Sequence, residues 1–214
     1  AENLRRERVD PERIFVTGNT VIDALLSVVE EGYQFTTPEL QRLDFSRPII
    51  VVTAHRRENW GDPLVGICQA LLEISSRARV QIVVAMHKNP AIQAVMRDLL
   101  GSDEQIILID APGYKEFANL LACSTLLLTD SGGLQEEAPA LGKPVLVMRE
   151  VTERPEALEA GTVKLVGSTQ ESIVPAVLQL LSDEELYRRM SSAPNPYGDG
   201  TAAQRICAIL QEKY

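Results

Sequence analysis

The amino-acid sequence predicts an α/β domain built on a doubly wound, mostly parallel sheet. Three observations lead to this prediction. Short apolar runs alternate with amphipathic stretches nearly to the end of the chain, the runs are continuous in their apolar character, and most are rich in leucine or β-branched residues. Continuous apolar runs are typical of strands buried on both faces of a parallel sheet. Strict alternation of such strands with helices is the pattern of a Rossmann-like fold.

Six apolar runs are predicted to form the strands of this sheet. In chain order they are Ile49–Thr53, Gln81–Met86, Ile106–Asp110, Leu126–Thr129, Pro144–Met148 and Val163–Val166. Amphipathic stretches between and after them predict helices, because their apolar residues recur at helical spacing. These are Leu64–Ser75, Ala91–Leu100, Lys115–Cys123, Thr169–Ser182 and Asp183–Ser192.

Both ends of the chain depart from this alternation. Residues 1–17 contain a short charged helix, an Asp-Pro turn and an isolated apolar piece, which we interpret as the remnant of a preceding domain and its linker. Residues 18–192 are the predicted Rossmann-like domain. Residues 193–214 are predicted to be a turn-rich linker and a last amphipathic helix, which would cross back to a domain outside this chain.

Composition and charge exclude several classes of function. The 214 residues are 45% hydrophobic and 24% charged, as in ordinary globular proteins. Thirty acidic residues against twenty-one basic ones give a net charge of −9, which disfavours nucleic acid or an anionic membrane as the main partner. No apolar run approaches the roughly 20 residues that span a bilayer, and the first ten residues lack a signal-peptide core. The sequence therefore predicts a cytoplasmic protein.

The cysteines and histidines do not predict a metal site. Cys68, Cys123 and Cys207 lie far apart in helical patterns without a CxxC pair, so we expect reduced, buried thiols. His55 and His87, the two histidines of the chain, lack neighbouring ligands at metal-binding spacing.

Polar residues follow the predicted strands at their carboxyl ends, where open α/β sheets bind ligands. His55 begins the run HRREN after the first strand, and His87 begins HKNP after the second. The adjacent cations Arg56 and Arg57 suit an anionic ligand, and this cluster favours a functional interpretation of His55. For His87 alone, a hydrogen-bonded loop residue is an equally good interpretation.

The run TDSGGLQEE after the fourth strand predicts an anion site at a helix N-terminus. Free backbone N–H groups there attract anions, and Gly132 and Gly133 would let a phosphate approach the backbone without meeting a Cβ. Ser131 could cap the helix or donate its hydroxyl to phosphate. Glu137, four residues after Gly133, could accept hydrogen bonds from sugar hydroxyls, whereas Glu136 is expected to point to solvent. A plain junction capped by Asp130 or Ser131 explains the serine but leaves the two glycines unexplained.

Neither of the common nucleotide motifs is present in this run. It is not a G-x-G-x-x-G fingerprint or a Walker A loop, so NAD and ATP are weak candidates.

Arg154 is predicted to lie at the start of a helix, because the following residue, Pro155, suits the first turn of a helix. Arg154 therefore places a cation at the positive end of the helix dipole. A diphosphate ligand would explain this placement, and a solvated loop arginine is the alternative.

Three stretches closely resemble the bacterial, non-hydrolysing UDP-N-acetylglucosamine 2-epimerases. They are VVTAHRREN at Val51–Asn59, TDSGGLQEEAPALGKPVLVMREVTERPEA at Thr129–Ala157 and NPYGDG at Asn195–Gly200, and the lead-in RIFVTGNTVIDAL at Arg13–Leu25 is similar as well. The resemblance implies one half of a GT-B-type two-domain fold, with UDP-GlcNAc or UDP in the cleft between two Rossmann-like domains. It extends only over the carboxyl-terminal half of that family. The amino-terminal domain, which supplies acidic catalytic residues, has no counterpart here.

The resemblance also implies roles for individual residues. His55 would be catalytic, Phe117 would pack on the uracil, Glu137 would bind the ribose, and Arg154 would pair with phosphate. The diphosphate would lie on Ser131, Gly132 and Gly133. Arg56 and His87 match positions that contact a second, regulatory UDP-GlcNAc.

The activity implied by the resemblance is inversion at C2 of UDP-GlcNAc to give UDP-ManNAc, by elimination and re-addition of UDP. No cofactor is needed, the intact enzyme is expected to be a homodimer, and this half is expected to be inactive by itself. Two alternatives remain open: the nucleotide half of a GT-B glycosyltransferase, and a stand-alone UDP-sugar-binding regulatory module.

Overall fold

The computed structural model describes residues 1–213, so Tyr214, the last residue of the predicted carboxyl-terminal segment, lies outside it. The described residues form a central six-stranded sheet in which every neighbouring pair of strands is parallel. The strands are β1 (Ile49–Thr53), β2 (Gln81–Met86), β3 (Ile106–Asp110), β4 (Leu126–Thr129), β5 (Val145–Val147) and β6 (Val163–Leu165). Their order, β3-β2-β1-β4-β5-β6, confirms the doubly wound Rossmann-like prediction.

The predicted strand bounds are confirmed for the first four strands. β5 is one residue shorter at each end than predicted, and β6 lacks the predicted Val166. The ladder nevertheless continues past both assigned ends, because the Met148 N–H donates to the Thr129 carbonyl and the Val166 N–H to the Val147 carbonyl. Differences of one residue at such ends reflect how a strand is delimited.

Within residues 1–213, ten α-helices accompany the sheet. They are α1 (Glu2–Arg6), α2 (Thr20–Val28), α3 (Asp62–Arg77), α4 (Pro90–Leu100), α5 (Tyr114–Cys123), α6 (Leu134–Ala140), α7 (Pro155–Ala160), α8 (Gln170–Ser182), α9 (Glu184–Ser191) and α10 (Ala202–Lys213). Single 3-10 turns lie at Pro11–Arg13, Leu40–Arg42 and Arg57–Asn59. The predicted helices are all present, with ends shifted by zero to two residues.

The sheet is buried on both faces, as its continuous apolar strands predict. Alternate residues of β1 divide between two cores: Ile50 and Val52 pack with α3, α4 and α8, whereas Ile49 and Val51 pack with α5 and the segment 35–43. All five residues of β1 are less than 9% exposed. Each buried Ile or Val side chain contributes roughly 1.5–3 kcal/mol of hydrophobic stabilisation, so β1 is a rigid base for the loop that follows it.

Hydrogen bonds join the start of the predicted domain to the segment 193–214. The Asn19 N–H donates to the Tyr197 carbonyl at 2.7 Å, and the Asp23 carboxylate of α2 accepts the N–H groups of Ala202 and Ala203 at 3.1 and 2.8 Å. Asp23 thereby caps α10, satisfying N–H groups that have no partner inside that helix. Helix α2 was not predicted from the sequence. The proposed domain limits, 1–17, 18–192 and 193–214, stay a prediction.

The expectation that all three thiols are buried was wrong. Cys68 is fully buried in α3, and burial raises the pKa of its thiol to about 11. Cys123 and Cys207 are exposed, because Cys123 is the last residue of α5 and Cys207 lies on an outward face of α10.

Two features of residues 1–213 concern membranes and metals. None of the helices there has the length and apolar character needed to span a bilayer. In the same part of the chain, no group of three or more His, Cys, Asp or Glu side chains is arranged to hold a metal ion.

Candidate functional site

The register of β1 and β4 brings two predicted loops together. These strands are adjacent at the point where the strand order reverses, and Thr53 pairs with Thr129, their hydroxyl oxygens 2.6 Å apart. The next residues along each strand therefore emerge side by side at the carboxyl edge of the sheet. One strand leads into His55 and Arg56, and the other into Asp130.

Asp130 organises the loop after β1. Its fully buried carboxylate accepts the backbone N–H of His55 at 2.9 Å, that of Arg56 at 2.9 Å and the side-chain amide of Asn59 at 2.9 Å. Burial by itself raises the pKa of Asp130, but the hydrogen bonds from His55, Arg56 and Asn59 outweigh burial and lower it overall. A charged carboxylate is thus held beneath the HRREN loop.

Asp130 also orients the imidazole of His55. The Nδ1 of His55 lies 2.9 Å from Oδ1 of Asp130, and the ring is partly exposed at the edge of a cleft. A carboxylate at Nδ1 requires a proton on that nitrogen, which leaves Nε2 free for a ligand. This nitrogen accepts a hydrogen bond when the ring is neutral and donates one when the ring is protonated.

The cleft beside His55 has a volume of about 500 Å³ and a mostly apolar lining. His87 and Lys88 contribute to its rim, and the half-buried Phe117 forms part of its wall while also packing on the core. The Nδ1 of His87 accepts the Asn89 N–H at 3.1 Å, and the His87 ring lies 6.3 Å from the ring of Trp60. Both histidines therefore line one cleft.

Glu137 lies close to the same cleft. Its buried carboxylate accepts the hydroxyl of Tyr114, which lines the cleft, at 3.3 Å. Burial raises the pKa of Glu137, the neighbouring charge of Glu136 adds to this, and the Tyr114 hydrogen bond partly offsets it. Glu137 is thus a hydrogen-bond acceptor one turn into α6, and its contact with sugar hydroxyls stays a prediction.

The start of α6 is uncapped by a side chain. Gly133 is its N-cap residue, with an ordinary helical φ of −64°, and a Cβ placed there would meet nothing within 4 Å. The alternative of an Asp130 or Ser131 cap is wrong, because no side chain makes a capping hydrogen bond to α6 and the Asp130 carboxylate faces the HRREN loop. Gly133 thus leaves open space at the helix start.

Gly132 has a different environment from Gly133. A Cβ built on Gly132 would lie 2.7 Å from Oε1 of Glu153 and 3.6 Å from Nη2 of Arg56. Glu153 accepts from Arg56 at 2.6 Å and also from Arg149, whose side chain is only 9% exposed and pairs with Glu58 as well. The hydrogen bond from Arg149 is the main cause that lowers the pKa of Glu153 to about 2, with Arg56 adding to it.

The expectation that Glu136 points to solvent was wrong. Its side chain is 8% exposed and accepts hydrogen bonds from Nε of Arg154 and from Nδ2 of Asn19. The segments around Asn19 and Asn195, distant in sequence, cover this face of α6; Asn195 donates to the Glu136 carbonyl at 2.9 Å. Arg154 is the N-cap residue of α7, as predicted, and is held against α6 by this buried carboxylate.

Sequence reasoning missed Asp130, Glu153 and Arg149 as members of this site. Asp130 carried a usable signal, since it directly follows a strand predicted to run parallel to the one preceding His55. Glu153 and Arg149 carried little signal, because charged residues in a loop are usually solvated and their pairing depends on how the loop after β5 folds back over Gly132.

Comparison with known proteins identifies the family of this chain. The family model described as UDP-N-acetylglucosamine 2-epimerase matches residues 1–211. The UDP-N-acetylglucosamine 2-epimerase of Salmonella typhimurium is 48% identical over 217 residues, covering 98% of this chain and 58% of the relative.

Solved structures agree with the sequence comparison. A Staphylococcus aureus MnaA–UDP structure has a TM-score of 0.91 and 42% identity, covering 98% of this chain and 57% of that one. A Neisseria meningitidis UDP-GlcNAc 2-epimerase bound to UDP-GlcNAc has a TM-score of 0.88 and 41% identity, covering 99% of this chain and 59% of that one. The chain thus spans less than three fifths of the length of these relatives. It belongs to the UDP-N-acetylglucosamine 2-epimerase family.

Proposed function

We propose that this chain binds the UDP moiety of UDP-GlcNAc and forms the nucleotide-holding half of an enzyme that interconverts UDP-GlcNAc and UDP-ManNAc. The observation that carries the proposal is the His55–Asp130 pair at the edge of an apolar cleft, with the open start of α6 in the adjacent loop. Relatives of known structure support the ligand, since one is described with UDP and another with UDP-GlcNAc.

The apolar cleft suits the uridine part of the ligand. Phe117 offers a half-buried aromatic surface for the uracil, because aromatic rings and planar bases stack favourably. Glu137 accepts from the ribose hydroxyls, a role that uses the ionised carboxylate. Tyr114 already donates to this carboxylate, so the bound ribose replaces or shares that hydrogen bond.

The backbone of Ser131, Gly132 and Gly133 and the guanidinium of Arg154 suit the diphosphate. Apart from Gly133 itself and its chain neighbours, no heavy atom of the described residues lies within 4 Å of a Cβ position on Gly133, so a phosphate oxygen can approach its backbone. Arg154 supplies a cation from the start of α7, and a planar guanidinium binds phosphate with two parallel hydrogen bonds.

In the proposed reaction, His55 acts on UDP, the leaving group. Loss of the C2 proton and cleavage of the bond from C1 to the UDP oxygen give a 2-acetamidoglucal and UDP. Return of a proton to the opposite face of C2, with UDP re-forming its bond to C1, gives the C2 epimer. The electron pair of the broken bond stays on UDP, so negative charge develops on the diphosphate. Fixed donors stabilise such charge without reorganising. Asp130 fixes the ring of His55, whose Nε2 is such a donor when the ring is protonated.

Acidic groups that move the C2 proton are assigned to an amino-terminal domain, which is why this half by itself is proposed to be inactive. A regulatory UDP-GlcNAc at Arg56 and His87, and a homodimer of the intact enzyme, stay predictions. His87 lines the same cleft as His55, so the two proposed nucleotide sites lie close together.

Titration of the chain with UDP and with uridine tests the proposed site. Trp60 is the single tryptophan, and its ring lies 6.3 Å from that of His87 at the cleft, so its fluorescence reports occupancy. We expect UDP to bind more tightly than uridine and to shift the amide NMR signals of residues 131–137 and 154. Equal affinity for the two ligands, or unmoved signals in those residues, would contradict the assignment.

A further inference from the structure

Glu153 is an acidic side chain that lies on the backbone of the proposed diphosphate site. Its Oε1 stands 2.7 Å from the position of a Cβ on Gly132, so its carboxylate fills the space that this glycine leaves. The same oxygen accepts from Nη2 of Arg56 at 2.6 Å. A protein anion is therefore present where a phosphate oxygen is expected.

The carboxylate of Glu153 joins two loops across the sheet. Arg56 follows β1 and Arg149 follows β5, and β4 lies between these strands. Glu153 pairs with both arginines and so bridges the β4–α6 loop that contains Gly132. This bridge neutralises Arg56, a cation otherwise available to a ligand.

Each of two arginines at this site is paired with a carboxylate, but the two carboxylates differ in their freedom to move. Glu136, the partner of Arg154, has an 8% exposed side chain and also binds Asn19. Glu153, the partner of Arg56, is 42% exposed. Breaking a buried ion pair leaves an uncompensated charge, whereas exchanging a half-exposed one costs little. Glu153 is thus the carboxylate that a ligand can displace.

Arg149 can keep its ion pair with Glu153 after a ligand displaces Glu153 from Arg56. The Arg149 side chain is 9% exposed and is also held by Nε to Glu58 at 2.9 Å, so it is fixed independently of Glu153. A rotation of Glu153 away from Gly132 need break only the contact with Arg56. The charge of Glu153 then stays compensated by Arg149.

We propose that Glu153 competes with the diphosphate for Gly132 and Arg56. It occupies both in the ligand-free protein and yields both to the phosphates of UDP, remaining paired with Arg149. This inference rests on the proposed function, since it concerns the same diphosphate site. It makes Glu153 a residue that lowers affinity for the diphosphate while leaving the uridine contacts untouched.

The test compares Glu153→Gln with the unchanged chain, using UDP, uridine and inorganic diphosphate as probes. Gln keeps the shape of the side chain and removes its charge. We expect UDP and inorganic diphosphate to bind roughly threefold to tenfold more tightly, the size expected for one half-exposed charge beside an anion. Uridine affinity should not change. Glu153→Ala provides a second variant without the charge and should tighten UDP in the same direction.

Glu150→Gln is the matched control. It removes the same charge from the same loop, but the Glu150 carboxylate lies against Gly167, with Oε1 2.7 Å from that Cβ position. We expect it to leave the ratio of UDP to uridine affinity unchanged. If UDP binds Glu153→Gln equally well or less well while the unchanged chain still prefers UDP to uridine, competition by Glu153 is overturned. If the unchanged chain shows no preference for UDP, the proposed function itself fails.

Discussion

The imidazole of His55 and the carboxylate of Asp130 lie 2.9 Å apart, although 75 residues separate them in sequence. Asp130 also accepts two backbone N–H groups of the loop that carries His55. One buried carboxylate therefore fixes both the backbone and the ring of the proposed catalytic residue. Several expectations follow from this arrangement and from the loops around it.

Changing Asp130 to Ala should destabilise the fold. It leaves the N–H groups of His55 and Arg56 and the amide of Asn59 without their acceptor, and each unsatisfied buried donor costs about 1–3 kcal/mol. We expect urea denaturation to show a loss of at least about 2 kcal/mol in the free energy of unfolding. The control is Asp110→Ala, whose exposed pair with Arg97 contributes less than about 1 kcal/mol. Equal losses in the two variants would refute the role of Asp130.

Changing His55 to Ala should sharply reduce interconversion of UDP-GlcNAc and UDP-ManNAc. The measurement combines the variant with a complementary amino-terminal half, which the proposed reaction needs. UDP affinity should change much less than turnover, because His55 is proposed to act where charge develops in the transition state. Full turnover in the variant would remove His55 from the mechanism.

Changing Gly133 to Ala should weaken UDP binding without changing the stability of the fold. Its Cβ would meet no protein atom within 4 Å, and its φ of −64° suits alanine, so thermal stability should be unchanged. UDP should nevertheless bind more weakly, because the added methyl occupies the approach of the phosphate to the backbone. Isothermal titration with UDP and uridine measures the effect. A variant that binds UDP as well as the unchanged chain would show that the phosphate does not approach Gly133.

Arg154→Ala should weaken UDP more than uridine. The loss should be at least tenfold for UDP, as expected for a charge-assisted pair with phosphate. Uridine serves as the internal control, because it lacks the phosphates but fills the same apolar cleft. The removal of Arg154 also leaves Glu136 buried with Asn19 as its remaining side-chain partner, so a fall in melting temperature should accompany the loss. An equal loss of UDP and uridine binding would deny Arg154 a phosphate contact.

Acid should destabilise the unchanged chain more than Glu153→Gln. Because the pKa of Glu153 is about 2 in the fold and near 4.5 when unfolded, its contribution is present above about pH 4.5 and is lost as the pH falls towards 2. The variant lacks this contribution, so its free energy of unfolding should change less between about pH 5 and about pH 3. The difference should be small, since the carboxylate is 42% exposed. Identical pH dependence in urea melts would contradict the ion pairs of Glu153.

The strands, and the edge of the sheet at which the candidate residues gather, were predictable because both depend on local pattern. A strand buried on both faces must be continuously apolar, and parallel strands collect their following residues at one edge. The environment of Glu136 was not predictable in this way. On a helix with one solvent-facing side it would be exposed, but α6 is covered by residues near Asn19 and Asn195 that lie about 60 to 120 residues away in sequence.

The sequence by itself determined the fold class, a doubly wound parallel sheet indicated by the alternation of strands and helices, and the family through the runs HRREN, TDSGGLQEE and NPYGDG. The tertiary structure decided which charges meet. Asp130 reaches His55 only because β1 and β4 are adjacent and in register, and Glu153 reaches Gly132 only because the loop after β5 folds over the loop after β4. Apolar periodicity is a property of the local sequence and can be seen there directly. An ion pair forms only when packing brings two side chains within a few ångströms of each other.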